Sequence, residues 1–153
     1  MTIKNYYDAG QSLFEIILAL AVTTLIIVAI VALTSTSIRN TTFSKNKTLA
    51  SRYSQEATEW LRGERDTDFS VFETRALTPL YCLPALSWGS ATIGACASGQ
   101  QIANTLFRRE VSFSSSVVNG KTLIQAGIRV YWSDAQGLHE VRSVTNFSDW
   151  RQI

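Results

Sequence analysis

Gly10-Gln11-Ser12-Leu13-Phe14-Glu15 leads directly into Ile16-Ile17-Leu18-Ala19-Leu20-Ala21-Val22, and this junction decides how the chain is read. From Ile16 to Ile38 no residue carries a charge. At ~1.5 Å per residue the uncharged run makes about 35 Å of helix, enough to cross a bilayer core of roughly 30 Å. A carboxylate on such a segment costs about 2.5 kcal/mol or more near the membrane centre and less toward its end. Glu15 therefore calls for a cationic partner. Cleavage after Gly10 would create one, a new amino group at Gln11, one helical turn before the carboxylate.

This combination of Gly, hydroxyl residue, Leu, apolar residue, Glu and long apolar helix resembles the N-terminus of type IV prepilins and type II secretion pseudopilins. The matched motif covers about the first 35 residues. Leu13-Phe14-Glu15-Ile16-Ile17-Leu18-Ala19-Leu20-Ala21 is most like the minor pilins and minor pseudopilins, and a weaker likeness runs through Phe107–Trp150. The resemblance implies a leader ending at Gly10, prepilin peptidase cleavage between Gly10 and Gln11, and N-methylation of Gln11. It makes Glu15 the fifth mature residue, pairing with the Gln11 amine of a neighbouring subunit and setting register between helices. It implies other pilins or pseudopilins, the prepilin peptidase, an inner-membrane assembly platform and membrane lipid as partners. The implied site is the bacterial inner membrane, single-pass, with the globular domain outside the cytoplasm, and then a pilus or pseudopilus.

Two positions depart from the family pattern. Gln11 stands where Phe or Met is usual. Ala32 stands where many major pilins carry a Pro, which would remove a helix hydrogen bond. Its absence suggests a straighter helix and favours a minor subunit.

The flanking charges point the other way. The N-terminal flank offers Lys4, offset by Asp8, whereas the far flank has Arg39, Lys45, Lys47 and Arg52. The positive-inside rule taken alone would place the domain in the cytoplasm. We adopt the family topology, because a cytoplasmic domain leaves Gly10 and Glu15 unexplained. The N-terminus is not an ordinary secretory signal, since the apolar run is too long and follows the candidate cut.

Beyond leader and membrane helix about 115 residues remain, room for one small domain. Fourteen Lys and Arg against twelve Asp and Glu leave no nucleic-acid footprint evident. Cys82 and Cys96 are the only cysteines. A disulfide between them would close a loop of about 15 residues, worth roughly 3 kcal/mol in the chain-entropy model. The alternative is two free thiols, as in a reducing compartment. Export of the domain favours the bond.

The reading divides the chain into a leader 1–10, a transmembrane or filament-core helix 11–38, an amphipathic continuation 39–63 and a globular pilin-like domain 64–153. Leu49, Tyr53, Ala57, Trp60 and Leu61 recur at three- and four-residue spacing, one face of a helix. Gly63 is the expected stop, so one helix runs from about Ser12 to Arg62, with a hinge in the Ser/Thr-rich zone Thr34–Thr48 as the alternative. Asp66–Gly99 reads as irregular, with short strands around Leu77–Leu83. Strands follow at Thr105–Ser114, with Phe107, Val111 and Phe113 on one face, and at Thr122–Trp132, where Ile124, Ala126, Ile128, Val130 and Trp132 alternate with other residues. Asn119-Gly120 is a two-residue hairpin signal. Ser133–Gly137 reads as a turn before a strand at Leu138–Thr145. The expected fold is α+β, one long helix packed on a small antiparallel β-meander.

The remaining candidates read blandly. His139 is expected to be a solvated surface residue, because no second His or Cys stands at ligand spacing. Asp66 and Asp68 fall short of the six to eight oxygens calcium takes, so no metal site is expected, and no cofactor. Arg108-Arg109 reads as strand edge, with an acidic neighbour as the alternative. Tyr131, Trp132, Phe147 and Trp150 read as core or subunit contacts. Asn40, Asn46 and Asn146 head glycosylation-type patterns that matter only in a eukaryotic secretory setting, which we set aside. No nucleophile–base pair suggests catalytic residues. The expected function is that of a minor type IV pilin or pseudopilin precursor and not an enzyme. The alternatives are an uncleaved single-pass membrane-anchored domain of unknown binding role and a membrane-tethered enzyme.

Overall fold

The computed structural model describes residues 8–118, 120–149 and 151. The chain forms two compact units, one up to Ser44 and one from Lys45 onward. The first helix, α1, spans Asp8–Thr67 and belongs to both. Among the described residues of the first unit α1 is the one regular element, and its side chains from Leu13 through Ser44 are exposed. No Gly or Pro interrupts the chain between Gln11 and Arg62, and α1 is unbroken through the Ser/Thr zone. The hydroxyls there bond back to helix carbonyls. Thr34 donates to the Ile30 carbonyl at 2.9 Å and Thr36 to the Ala32 carbonyl at 3.0 Å.

The second unit is an antiparallel sheet with helices on one face. Its strands are β1 Leu80–Cys82, β2 Thr92–Ile93, β3 Arg108–Val118, β4 Lys121–Asp134 and β5 Gly137–Ser148, in the order β2-β1-β3-β4-β5. The meander of β3, β4 and β5 is as expected, and β1 and β2 extend it past β3. Val118 pairs with Lys121, so the hairpin has the two-residue connection the sequence announced. Gly120 takes φ +75°, a conformation glycine adopts without a Cβ penalty, and Asn119 lies outside the described residues. The inward face of β4 is Ile124, Ala126, Ile128, Val130 and Trp132, all 2% exposed or less. Against it α1 lays Ala50, Ser54, Ala57 and Leu61. The expected stripe was larger in volume. Leu49, Tyr53 and Trp60 sit half-buried at its border, while Ala57 and Leu61, also on the expected stripe, are fully buried beside Ala50 and Ser54. The Ser54 and Ser143 hydroxyls meet at 2.7 Å across the helix–sheet contact.

Several boundaries differ from expectation. α1 continues through Gly63 to Thr67. A helical Gly costs ~1 kcal/mol against Ala, and tertiary contacts just beyond it offset that. Glu64 accepts from Trp88 Nε1 at 2.5 Å, and the Arg65 guanidinium lies 5.7 Å from the Phe147 ring centre. The stretch after α1 is not simply irregular, because a short helix, α2, covers Phe69–Ala76. Asp68 caps it, its carboxylate accepting from Val71 N at 3.1 Å, and Phe72 and Ala76, one turn apart, are buried. Phe72 meets Phe113 and Phe147 edge-on at 6.0 and 5.4 Å. Asp66 and Asp68, both exposed, therefore end one helix and start the next, rather than lying in an irregular stretch.

β3 begins later than expected, at Arg108, because Ile102 and Thr105 close a turn onto Phe107. Ile102 N donates to the Phe107 carbonyl at 2.8 Å, and Thr105 N to the Ile102 carbonyl at 3.0 Å. β4 takes in Ser133 and Asp134, both expected in the turn, since Asp134 pairs with Gly137. β5 runs on to Ser148 and brings Phe147 into the core at 1% exposure.

Candidate functional site

Two regions carry the chemistry, each within its own unit. The first is the apolar part of α1. Leu13, Phe14, Ile16, Ile17 and their successors to Ile38 are exposed around the whole circumference of the helix. Burying one such side chain is worth ~1.5–3 kcal/mol, so a helix of this kind belongs in lipid or among other helices. It is long and apolar enough to cross a membrane. The threonine hydroxyls inside the run bond within the helix. Thr23 donates to the Ala19 carbonyl and Thr24 to the Leu20 carbonyl, both at 2.7 Å. In hydrocarbon an unmade hydrogen bond costs several kcal/mol, so this back-bonding suits a lipid or helix-bundle setting. Glu15 lies on α1, exposed, in the turn that follows Gly10 and Gln11. Residues 1–7 of the expected leader lie outside the described residues.

The second region is the junction of β1, β3 and β4. Cys82 and Cys96 are joined as a disulfide, with Cα atoms 4.9 Å apart, and Cys82 is fully buried. The loop they close contains β2, whose Thr92 and Ile93 pair with Cys82 and Tyr81. Glu110, 5% exposed, ties this loop to the sheet. Its carboxylate accepts from Cys96 N and from the Tyr131 hydroxyl, each at 2.9 Å, and meets Arg129 at 3.5 Å. Burial, and then the bond to Glu110, push the Tyr131 phenol above its ordinary pKa. Arg129 also pairs with Glu140 at 2.6 Å, and Glu140 with Arg142 at 2.6 Å. The result is a chain of alternating charge across the outer sheet face. Arg142 and then Arg129 hold the Glu140 carboxyl below its ordinary range.

Glu110 and its network were not anticipated. The signal was present, because counting back from Asn119-Gly120 sets Glu110 directly opposite Arg129. Arg109 corrects the expectation of an edge residue. It shares the inward parity of Phe107 and Val111 and is 2% exposed. Its Nε donates to the Leu83 carbonyl and its Nη1 to the Tyr53 carbonyl, both at 3.3 Å. Burial lowers its pKa, with Glu56 and Tyr53 opposing. Arg109 thus joins the disulfide loop to α1 beneath the sheet. His139 is also not merely solvated. Its Nε2 lies 2.8 Å from Asp134 Oδ1 and its ring 5.3 Å from that of Trp132. Tyr131, Trp132 and Phe147 are core residues, and Trp150 lies outside the described residues.

The outer face also holds a shallow trough of about 530 Å³, with Gly127 at its floor between Ser112 and Val144. Among the described residues no three His, Cys, Asp or Glu side chains gather as metal ligands. The chain matches no family model, and comparison with curated proteins and with solved structures finds no match.

Proposed function

We propose that this chain is the precursor of a minor type IV pilin or pseudopilin, a structural and assembly subunit. The observation that carries the reading is the junction Gly10–Glu15 at the head of a helix whose uncharged residues are exposed all round. A peptidase cuts after Gly10 and frees the Gln11 amine, which is then N-methylated. Glu15 attracts the Gln11 amine of an adjacent subunit. In low dielectric an unpaired carboxylate is costly, so this pairing selects one register between neighbouring helices. The apolar segments exchange lipid for protein contacts and form the fibre core. The sheet domain, stapled by its disulfide, faces outward. The disulfide supports export, because such bonds persist in oxidising compartments.

Arg39, Lys45, Lys47 and Arg52 beyond the apolar run favour a second reading, an uncleaved anchor whose domain stays on the cytoplasmic side. Mass spectrometry of the N-terminal peptide from native membranes or fibres separates the two. A start at Gln11 supports the subunit reading, and a start at Met1 in all material refutes it. Glu15→Ala is expected to leave the protein cleaved and membrane-bound but absent from fibres. Normal incorporation of that variant would remove the registry role.

A further inference from the structure

Among the described residues β3 leaves part of one edge open, and Pro79 is the reason. On that side β3 pairs with β1 only through Glu110, Val111 and Ser112. The bonds flanking this short ladder run from Leu83 N to the Arg109 carbonyl at 2.8 Å and from Phe113 N to the Pro79 carbonyl at 2.9 Å. Odd-numbered residues of β3 therefore turn their N–H and C=O groups toward β1, and even-numbered residues toward β4. Proline has no N–H to return to the Phe113 carbonyl, so the ladder stops there. Beyond it Ser114–Val118 stay paired with β4, without a bulge, up to Val118 and Lys121. By the same alternation Ser115 and Val117 direct their N–H and C=O groups out of the sheet.

The side chains of this segment are exposed on both faces. Ser115 and Val117 share the parity of the buried Phe107, Val111 and Phe113, yet the core layer ends at Phe113 and Val117 is 72% exposed. Folded proteins guard sheet edges with charge, proline, bulges or short length. β5 has Glu140 and Arg142 along it, and β2 has only two residues. The β3 segment has none of these guards, for no residue from Val111 to Gly120 is charged.

We propose that the open edge of β3, from Phe113 to Val118, accepts an extended, uncharged segment of a partner protein as an added β-strand. Only a second strand offers alternating donors and acceptors at this spacing, and main-chain bonds of this kind supply the affinity in strand addition. Valine and serine side chains suit β-branched and hydroxyl neighbours across the new pair. A charged side chain on the incoming strand would find no counter-charge there. The inference does not depend on the subunit reading above.

The test is amide hydrogen exchange on the full chain in detergent micelles, with a capped Thr-Val-Thr-Val-Thr-Val peptide as probe. Exchange at Ser115 and Val117 is expected to slow on the order of tenfold at saturating peptide. The same peptide N-methylated at alternate residues is expected to have no effect. Val117→Pro removes an outward N–H that β4 does not use, so it should keep the thermal midpoint and lose the peptide effect. Ser116→Pro removes an N–H facing β4 and should lower the midpoint. No slowing with the unmodified peptide, or equal slowing with its N-methylated form, overturns the proposal. Slowing that grows with protein concentration in the absence of peptide would assign the edge to a second copy and overturn the choice of partner.

Discussion

Reducing the Cys82–Cys96 bond tests whether the loop between β1 and β3 depends on covalent closure. The bond closes a loop of 14-residue separation that holds β2 together with Pro84, Gly89 and Gly94. In the chain-entropy model a loop of that size restricts the unfolded chain by about 3 kcal/mol at 25 °C. The unit from Lys45 onward has about 109 residues, so its unfolding entropy is roughly 0.23 kcal/mol per degree. The two values together give a fall in midpoint of about 13 °C. The assay is near-ultraviolet circular dichroism of the full chain in detergent, with and without reductant. Trp60, Trp88 and Trp132 pack within this unit and report on it, and the apolar segment of α1 carries no Trp. Reduction keeps both sulfur atoms in place, so no cavity is added. A midpoint that moves by less than about 3 °C would refute the loop-entropy reasoning. It would mean that Cys96 N–Glu110, Gly94 N–Leu80 and the β1–β2 pairing hold the loop without the bond.

Two further outcomes follow from the outer sheet face. A Cβ at Gly127 would stand 2.7 Å from Ser112 Oγ, so Gly127→Ala should destabilise by about 1 kcal/mol in denaturant unfolding, and Ser112→Ala in the same chain should restore most of it. Glu140 is held below its unfolded pKa by Arg142 and Arg129, so its contribution is present above the ordinary carboxylate range and is lost as pH falls through the folded value. Glu140→Gln should therefore flatten the fall in midpoint on acidification below about pH 4.5, as followed by the same signal.

Much of this molecule was legible before its tertiary structure was known. The uncharged run from Ile16 to Ile38, the alternation from Ile124 to Trp132 and the Asn-Gly hairpin are local patterns. Each depends on periodicity or turn chemistry within a few residues, and each appears where the pattern put it. α2 was missed although Asp68, Phe72 and Ala76 spell a capped turn, because eight residues are too few for periodicity to stand out. The hydroxyls of Thr23 and Thr24 likewise bond within their own helix, so their fate follows from sequence spacing alone.

What tertiary structure alone decided concerns polar groups. Arg109 is stable inside because two carbonyls, from Tyr53 and Leu83, meet it there, and neither is near it in sequence. Glu110 is stable in the sheet because Cys96, Tyr131 and Arg129 converge on it. Ser54 could take the centre of the helix–sheet contact because Ser143 faces it. An apolar side chain is driven inward by water whatever its neighbours are, so its placement is written in the local pattern. A polar side chain goes inward only where distant segments supply its hydrogen bonds, and that supply exists only once the chain has folded.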